Sequence, residues 1–181
     1  MQATTQAPAP SNDPSTEMDV RTDGESRDKV MDLIKKARFA MFGTYDSKGN
    51  NHSRPMVASS HEGDELWFFC RSDSRKVREL GSDPRVTIDY ADDSNQNYVS
   101  VLGTGTVLED RAKAEELWAE PLRTWFPEGT DDPALRLIRV KIDAAEYWDS
   151  PSSMLVHGFG YLKAVATGEP PAPGDIAQVR M

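Results

Sequence analysis

Four basic side chains, Arg71, Arg75, Lys76 and Arg78, fall within the eleven residues CRSDSRKVREL at positions 70–80, in a chain whose formal net charge is −9. Grouping cations in an acidic protein is chemistry suited to an anion. The apolar run LWFFC leads into RSDS, where a helix can open with Ser72, Asp73 or Ser74 as its cap. The first backbone N–H groups of a helix have no intrahelical partner and carry partial positive charge. Beside them Ser74 adds a hydroxyl, Arg75 a planar fork that matches phosphate oxygens, and Lys76 a point charge. Strand, Ser-Arg-Lys, helix is thus a workable clamp for a phosphate monoester. The same residues also make a solvated amphipathic helix, with charge pairs such as Arg75 with Glu79 at i,i+4, and this stretch alone leaves both readings open.

A second arginine, Arg54, interrupts the otherwise apolar SRPMVASS just before Pro55. Proline donates nothing to a strand ladder, so this segment belongs at an edge or an opening. An arginine there needs an anion, whether a ligand or one of the protein's own carboxylates. Other chemistries find less support. His52, His61 and His157 are scattered without metal-ligand spacing. Cys70 ends an apolar strand, where a small buried hydrophobe is the simplest role. LGTGTV lacks the third glycine of a dinucleotide fingerprint and lies inside a strand pattern. PEGTDD does not fit a calcium loop.

The elements that must position these residues follow from the periodicity. Residues 1–26 are rich in Pro, Ser, Thr and acid and bury little, which predicts a disordered tail. SRDKVMDLIKKA places Val30, Met31, Leu33, Ile34 and Ala37 at helical spacing, with Ser26 as the expected N-cap. RFAMFGTYD and NHSRPMVASS read as two strands around the turn SKGN, and LWFFC as a third. The stretch 70–80 follows as a short helix with Val77 and Leu80 inward. RVTIDYA alternates cleanly, and YVSVLGTGTVLED is a long strand in which Gly103 and Gly105 signal a bend or a close backbone approach. RAKAEELWAEPLRTWF reads as one helix kinked at Pro121. LRLIRVKIDAAEYWDS returns to alternation, FGYLKAVATG predicts a short helix ending at Gly168, and residues 169–181 read as a flexible C-terminal tail. Six strands at hairpin distances with few helices predict a mainly β fold: an antiparallel sheet curled into a small barrel, flanked by helices, in one domain over residues 27–168.

At 181 residues the chain suits one such domain with a core large enough to dispense with disulfides, and its one cysteine excludes an internal bridge. A pI near 4.8 argues against a general nucleic-acid or anionic-membrane binder. No apolar run reaches the roughly 18 residues of a membrane span, and no secretory signal pattern opens the chain. The expected location is cytoplasmic.

Taken in order, SRPM, LWFFCRSDSRKVREL, DPRVTIDYAD, VLGTGTVLEDRAKAEELW, WFPEG and AEYWDS give the chain from residue 26 to 168 a resemblance to the FMN-binding split-barrel superfamily, whose best-known enzyme is pyridoxamine 5′-phosphate oxidase. Within that superfamily it is most similar to the bacterial general stress proteins. The resemblance implies a six-stranded antiparallel split β-barrel that forms a homodimer, with a flavin nucleotide (FMN, with FAD the alternative) held between the subunits. It assigns the phosphate to Arg54, Arg75 and Lys76, with Ser74 beside them. The backbone of Arg54, Pro55, Met56 and Val57 would lie along the isoalloxazine ring, Phe69 and Cys70 would line the cofactor, and Trp148 would stand near the flavin.

Departures from the oxidase pattern limit the reaction. The lysine expected five residues after the strand arginine is Ser59, and the Arg-x-His segment that grips the vitamin substrate is replaced by Met154 and Val156. Oxidation of pyridoxamine phosphate is therefore not expected. Three readings stand: a flavin-binding stress protein without turnover, a flavin-dependent oxidoreductase on a small substrate, and an interaction module with a vestigial pocket. No general acid or base is evident beside the ring, which favours the first.

Overall fold

The computed structural model describes residues 18–37, 39–149 and 174–181. Nine strands, three α-helices and two 3-10 helices make up the described fold. In chain order they are β1 (Asp19–Arg21), α1 (Gly24–Lys36), β2 (Ala40–Tyr45), β3 (Asn51–Met56), β4 (Ser60–Glu62), β5 (Glu65–Arg71), α2 (Arg75–Ser82), β6 (Arg85–Asp92), β7 (Asn97–Leu108), α3 (Arg111–Leu117), the 3-10 turns Glu120–Thr124 and Gly129–Asp131, β8 (Leu135–Asp149) and β9 (Asp175–Arg180).

The sheet runs β1-β9-β8-β7-β6-β2-β3, with β5 branching from β8 and β4 paired to β5. The split originates in β8. Its 15 residues pair along their length with β7, while the first half also pairs with β5 and the second half with β9. The sheet therefore curls without closing, and among the described residues β3 has β2 as its one strand neighbour. That is the edge Pro55 requires.

Two apolar clusters hold the fold. The larger fills the barrel and is covered by α1 and α2: Phe42, Leu66, Phe68, Ile88, Val101, Ile142 and Tyr147 are essentially inaccessible. The smaller packs Trp67, Phe69, Phe126 and Leu137 beneath α3 and the first 3-10 turn, with Trp118 against it. β5 serves both. Leu66, Phe68 and Cys70 face the first cluster and Trp67 and Phe69 the second, which explains why LWFFC is apolar without a break. At Gly103 the β7–β8 register shifts, and a Cβ there would meet the Lys141 carbonyl oxygen at 2.5 Å; the glycine is required by close backbone approach.

Several expectations need correction. The six foreseen strands are present as β2, β3 and β5–β8, and β1, β4 and β9 are additional. Residues expected to be tail form sheet: β9 adds antiparallel to β8, and β1 adds parallel to β9. Ala177 and Val179 are fully buried, and a polar clasp fastens the pair. Arg21 Nη1 donates to the Tyr147 hydroxyl at 2.6 Å, Tyr147 donates to Asp175 at 2.9 Å, and Lys29 bonds Asp175 and Asp149 at 2.9 and 2.6 Å. Helix α1 is capped by Asp23, which accepts from the Ser26 amide, instead of by Ser26. The helix foreseen over 111–126 stops at Leu117 and resumes as a 3-10 turn at Glu120, because Pro121 supplies no N–H to continue the ladder. The helix foreseen for FGYLKAVATG, and His157, Met154 and Val156, lie outside the described residues.

Candidate functional site

The site is assembled where β3, the end of β5 and the start of α2 meet. β5 ends at Arg71, a tight turn follows in which the Ser74 amide donates to the Arg71 carbonyl, and α2 opens with Ser74 at its N-cap. The Ser74 side chain makes no capping bond, and its Oγ is buried with no hydrogen-bond partner among the described residues. An orphaned buried hydroxyl at a helix N-terminus fits an anionic oxygen acceptor.

Around it stand the three predicted cations. Arg54 reaches from β3 across β2: Nη1 donates to Thr44 Oγ1 at 2.6 Å and to the Phe42 carbonyl at 3.3 Å, and Nη2 donates to Glu79 Oε2 at 3.2 Å. Arg75 Nε lies 2.6 Å from Glu79 Oε1, and its Nη2 lies 2.7 Å from His52 Nε2. The second alternative left open by the sequence is thus realised for both arginines, which share one of the protein's own carboxylates. Lys76 differs. It is partly buried and makes no ion pair or side-chain hydrogen bond among the described residues. Burial pushes its ammonium pKa down and the charge of Arg54 adds to that shift, while Cys70 and Asp73 oppose it without reversing it. Three cations against one carboxylate leave the cluster electropositive.

Glu79, read from the sequence as the i,i+4 partner of Arg75, is also the partner of Arg54 and His52, which the sequence reading missed. Its side chain is 6% exposed although it lies on a helix of mostly polar residues. Burial pushes its carboxyl up, but the bonds from Thr44 and Arg54 and the charge of Arg75 outweigh that, so it titrates below the usual carboxylate range. The i,i+4 spacing to Arg75 was the available signal; burial against β2 was not visible in it.

The remaining predicted residues divide. Cys70 faces the barrel interior behind Lys76, and its thiol is pushed up to about 11 by burial, against the pull of Lys76 and Arg136. Phe69 points the other way, into the second cluster, with its ring edge-on to Trp118 at 6.0 Å. Pro55, Met56 and Val57 continue along the free edge, Met56 packing on the core and Val57 exposed. Trp148 is not with them. It sits at the far end of β8 opposite Tyr98 and Ile176. That is four strands from Arg54, on the order of 19 Å along the sheet, and on the opposite face. Within one subunit, Trp148 and the basic cluster do not meet.

That opposite face, the outer surface of the sheet, carries Met41, Val57, Tyr98 and Leu102 exposed at 41–51%. Pro55 is the register partner of Met41, and Ala144 that of Leu102. Among the described residues no group of three metal-ligating side chains converges, and no helix is long and apolar enough to cross a membrane.

Comparison with known proteins identifies the fold and the family. Protein bli-3 of Neurospora crassa is 27% identical over 181 aligned positions, covering 92% of this chain and 87% of that protein. A general stress protein 26-type structure from Jannaschia sp. CCS1 superposes with a TM-score of 0.74 at 22% identity, over 88% of this chain and all of that one. The general stress FMN/FAD binding protein of Xanthomonas citri superposes with a TM-score of 0.64 at 29% identity, over 73% and 94% of the two chains. Residues 25–172 match the sequence profile described as pyridoxamine 5′-phosphate oxidase like. The match spans most of the chain, and the protein belongs to the pyridoxamine 5′-phosphate oxidase-like family.

Proposed function

We propose that the protein is a flavin-nucleotide-binding general stress protein, taking FMN (FAD the alternative) between two copies of the chain and lacking pyridoxamine phosphate oxidase activity. The observation that carries this reading is Lys76: a partly buried ammonium with no ion pair among the described residues, close enough to Arg54 to feel its charge, on the helix whose N-cap Ser74 keeps an orphaned buried hydroxyl. A phosphate monoester supplies the missing charge and accepts from that hydroxyl. In this reading Lys76, Ser74 and the two arginines hold the phosphate, while residues 54–57 offer an open strand edge to the ring system. The apolar outer face of the sheet, with Met41, Tyr98 and Leu102 exposed, supports pairing with a second copy. The Xanthomonas citri relative, described as FMN/FAD binding, supports the cofactor class.

Bound flavin would supply electron and hydride transfer. This chain's own residues favour binding over proton chemistry: Glu79 is committed to two arginines, His52 to Arg75 and Glu79, and the Cys70 thiol is protonated and buried. The test is a fluorescence titration of the purified protein with FMN, together with light scattering in solution. Saturable quenching by a dimer with one flavin per subunit supports the proposal. A monomer that leaves FMN fluorescence unchanged removes it. Anaerobic addition of NADH or NADPH to a flavin complex separates a carrier, in which the flavin stays oxidised, from an oxidoreductase.

A further inference from the structure

Glu79 has no assigned role in holding a ligand, yet it is the most heavily bonded residue of the cluster. Three elements converge on its carboxylate: Thr44 of β2 donates its hydroxyl at 2.5 Å, Arg54 and His52 of β3 lie at 3.2 and 3.0 Å, and Arg75, one turn earlier on α2, lies at 2.6 Å. The two guanidinium groups best suited to fork onto a phosphate therefore already hold an anion supplied by the chain.

We propose that Glu79 is an internal counter-anion seated in the phosphate site, competing with the ligand's phosphate for Arg54 and Arg75 and so setting how strongly the site prefers phosphorylated ligands. The proposal rests on reading the cluster as the flavin phosphate site. Its physical basis is like-charge exclusion: a phosphate dianion and a buried carboxylate on the same guanidinium groups destabilise each other. The site then has two halves. Lys76 and Ser74 have no side-chain partner among the described residues, whereas Arg54 and Arg75 become available as Glu79 gives way. A counter-anion also keeps two arginines from standing unpaired when no ligand is present, which accounts for a carboxylate this deeply buried. The competing explanation is that Glu79 merely positions the arginines, in which case removing its charge weakens phosphate binding.

The experiment compares full-length wild type with Glu79→Gln, which keeps the shape and removes the charge. Each is titrated with FMN and with riboflavin at fixed ionic strength, and inorganic phosphate is tested in parallel by thermal shift. The expected result is FMN binding tightened by about 10-fold in Glu79→Gln, the effect of one like-charge contact. Riboflavin affinity stays unchanged, and phosphate raises the Tm of the variant at concentrations that leave wild type unmoved. Glu79→Asp, which draws the charge back by one methylene, is expected to tighten FMN to a smaller extent and covers failure of the Gln variant to fold. FMN affinity that is unchanged or weakened in the variants, with riboflavin unaffected, overturns the counter-anion and leaves the flavin reading in place. Selective stabilisation of Glu79→Gln by phosphate, with no flavin bound by either protein, supports the counter-anion and removes the flavin reading. If neither protein responds to flavin or phosphate, both fall.

Discussion

Replacing Arg54 with methionine tests whether the basic cluster is a closed internal network. The substitution keeps the aliphatic stem and removes the guanidinium, so Glu79 loses its 3.2 Å partner, and Thr44 Oγ1 and the Phe42 carbonyl lose their donor. Leaving a fully buried charge without any partner costs about 3–5 kcal/mol. Here Arg75 stays 2.6 Å from Glu79 Oε1 and Thr44 still donates to Oε2, so the loss is that of one hydrogen bond to a charged group plus two to neutral oxygens, about 2–4 kcal/mol for a partly exposed guanidinium. For a chain of this size that is a Tm lowered by about 4–16 °C. The assay is urea unfolding with an unchanged m-value. Repeating Arg54→Met in a Glu79→Gln background should recover part of the loss, with a coupling of about 1–2 kcal/mol in the double-mutant cycle. A cost under about 0.5 kcal/mol with no coupling would mean both side chains are solvated, and the account of the cluster would be wrong.

Two further consequences follow from the clasp and from Cys70. Asp175 is raised by burial but more strongly lowered by bonds from Arg21, Lys29 and Tyr147, to about 2. Its folded-state pKa lies below the unfolded value near 3.9, so the stability it contributes is complete above about pH 4 and is lost as pH falls through about 2. Asp175→Asn should remove that acid-dependent step and speed hydrogen exchange in β9; exchange as slow as in wild type would contradict the clasp. The Cys70 thiol, at about 11 and buried, should resist iodoacetamide at pH 8 in the native protein and react promptly in denaturant; rapid native labelling would refute its placement.

How much of this was legible in the sequence differs by element, for physical reasons. β6, β7 and β8 were visible because half-buried strands alternate, and β5 because a strand buried on both faces is apolar throughout. The edge position of β3 followed from Pro55, and the close backbone approach from Gly103. β1 and β9 were missed because each is stabilised by pairing between the two ends of the chain, which leaves no local periodicity in DVR and only a weak alternation in DIAQVR. At the site, the cations could be named from their types and spacing. Glu79 could be named as the i,i+4 partner of Arg75, but not as the buried anion shared with Arg54, because that depends on where α2 lands on β2. The distance between Trp148 and Arg54 was likewise invisible, since strand order is not written in strand pattern.

Lys76→Met, titrated with FMN and with riboflavin alongside wild type, tests the central claim most directly. It removes the one site cation that is without a counterion among the described residues and keeps the stem that packs there. The account predicts that wild type prefers FMN over riboflavin and that Lys76→Met weakens FMN by about 10- to 150-fold, the worth of one charge-assisted hydrogen bond, with riboflavin affinity unmoved. Equal losses for both flavins, or an FMN affinity that does not notice the missing ammonium, would contradict it.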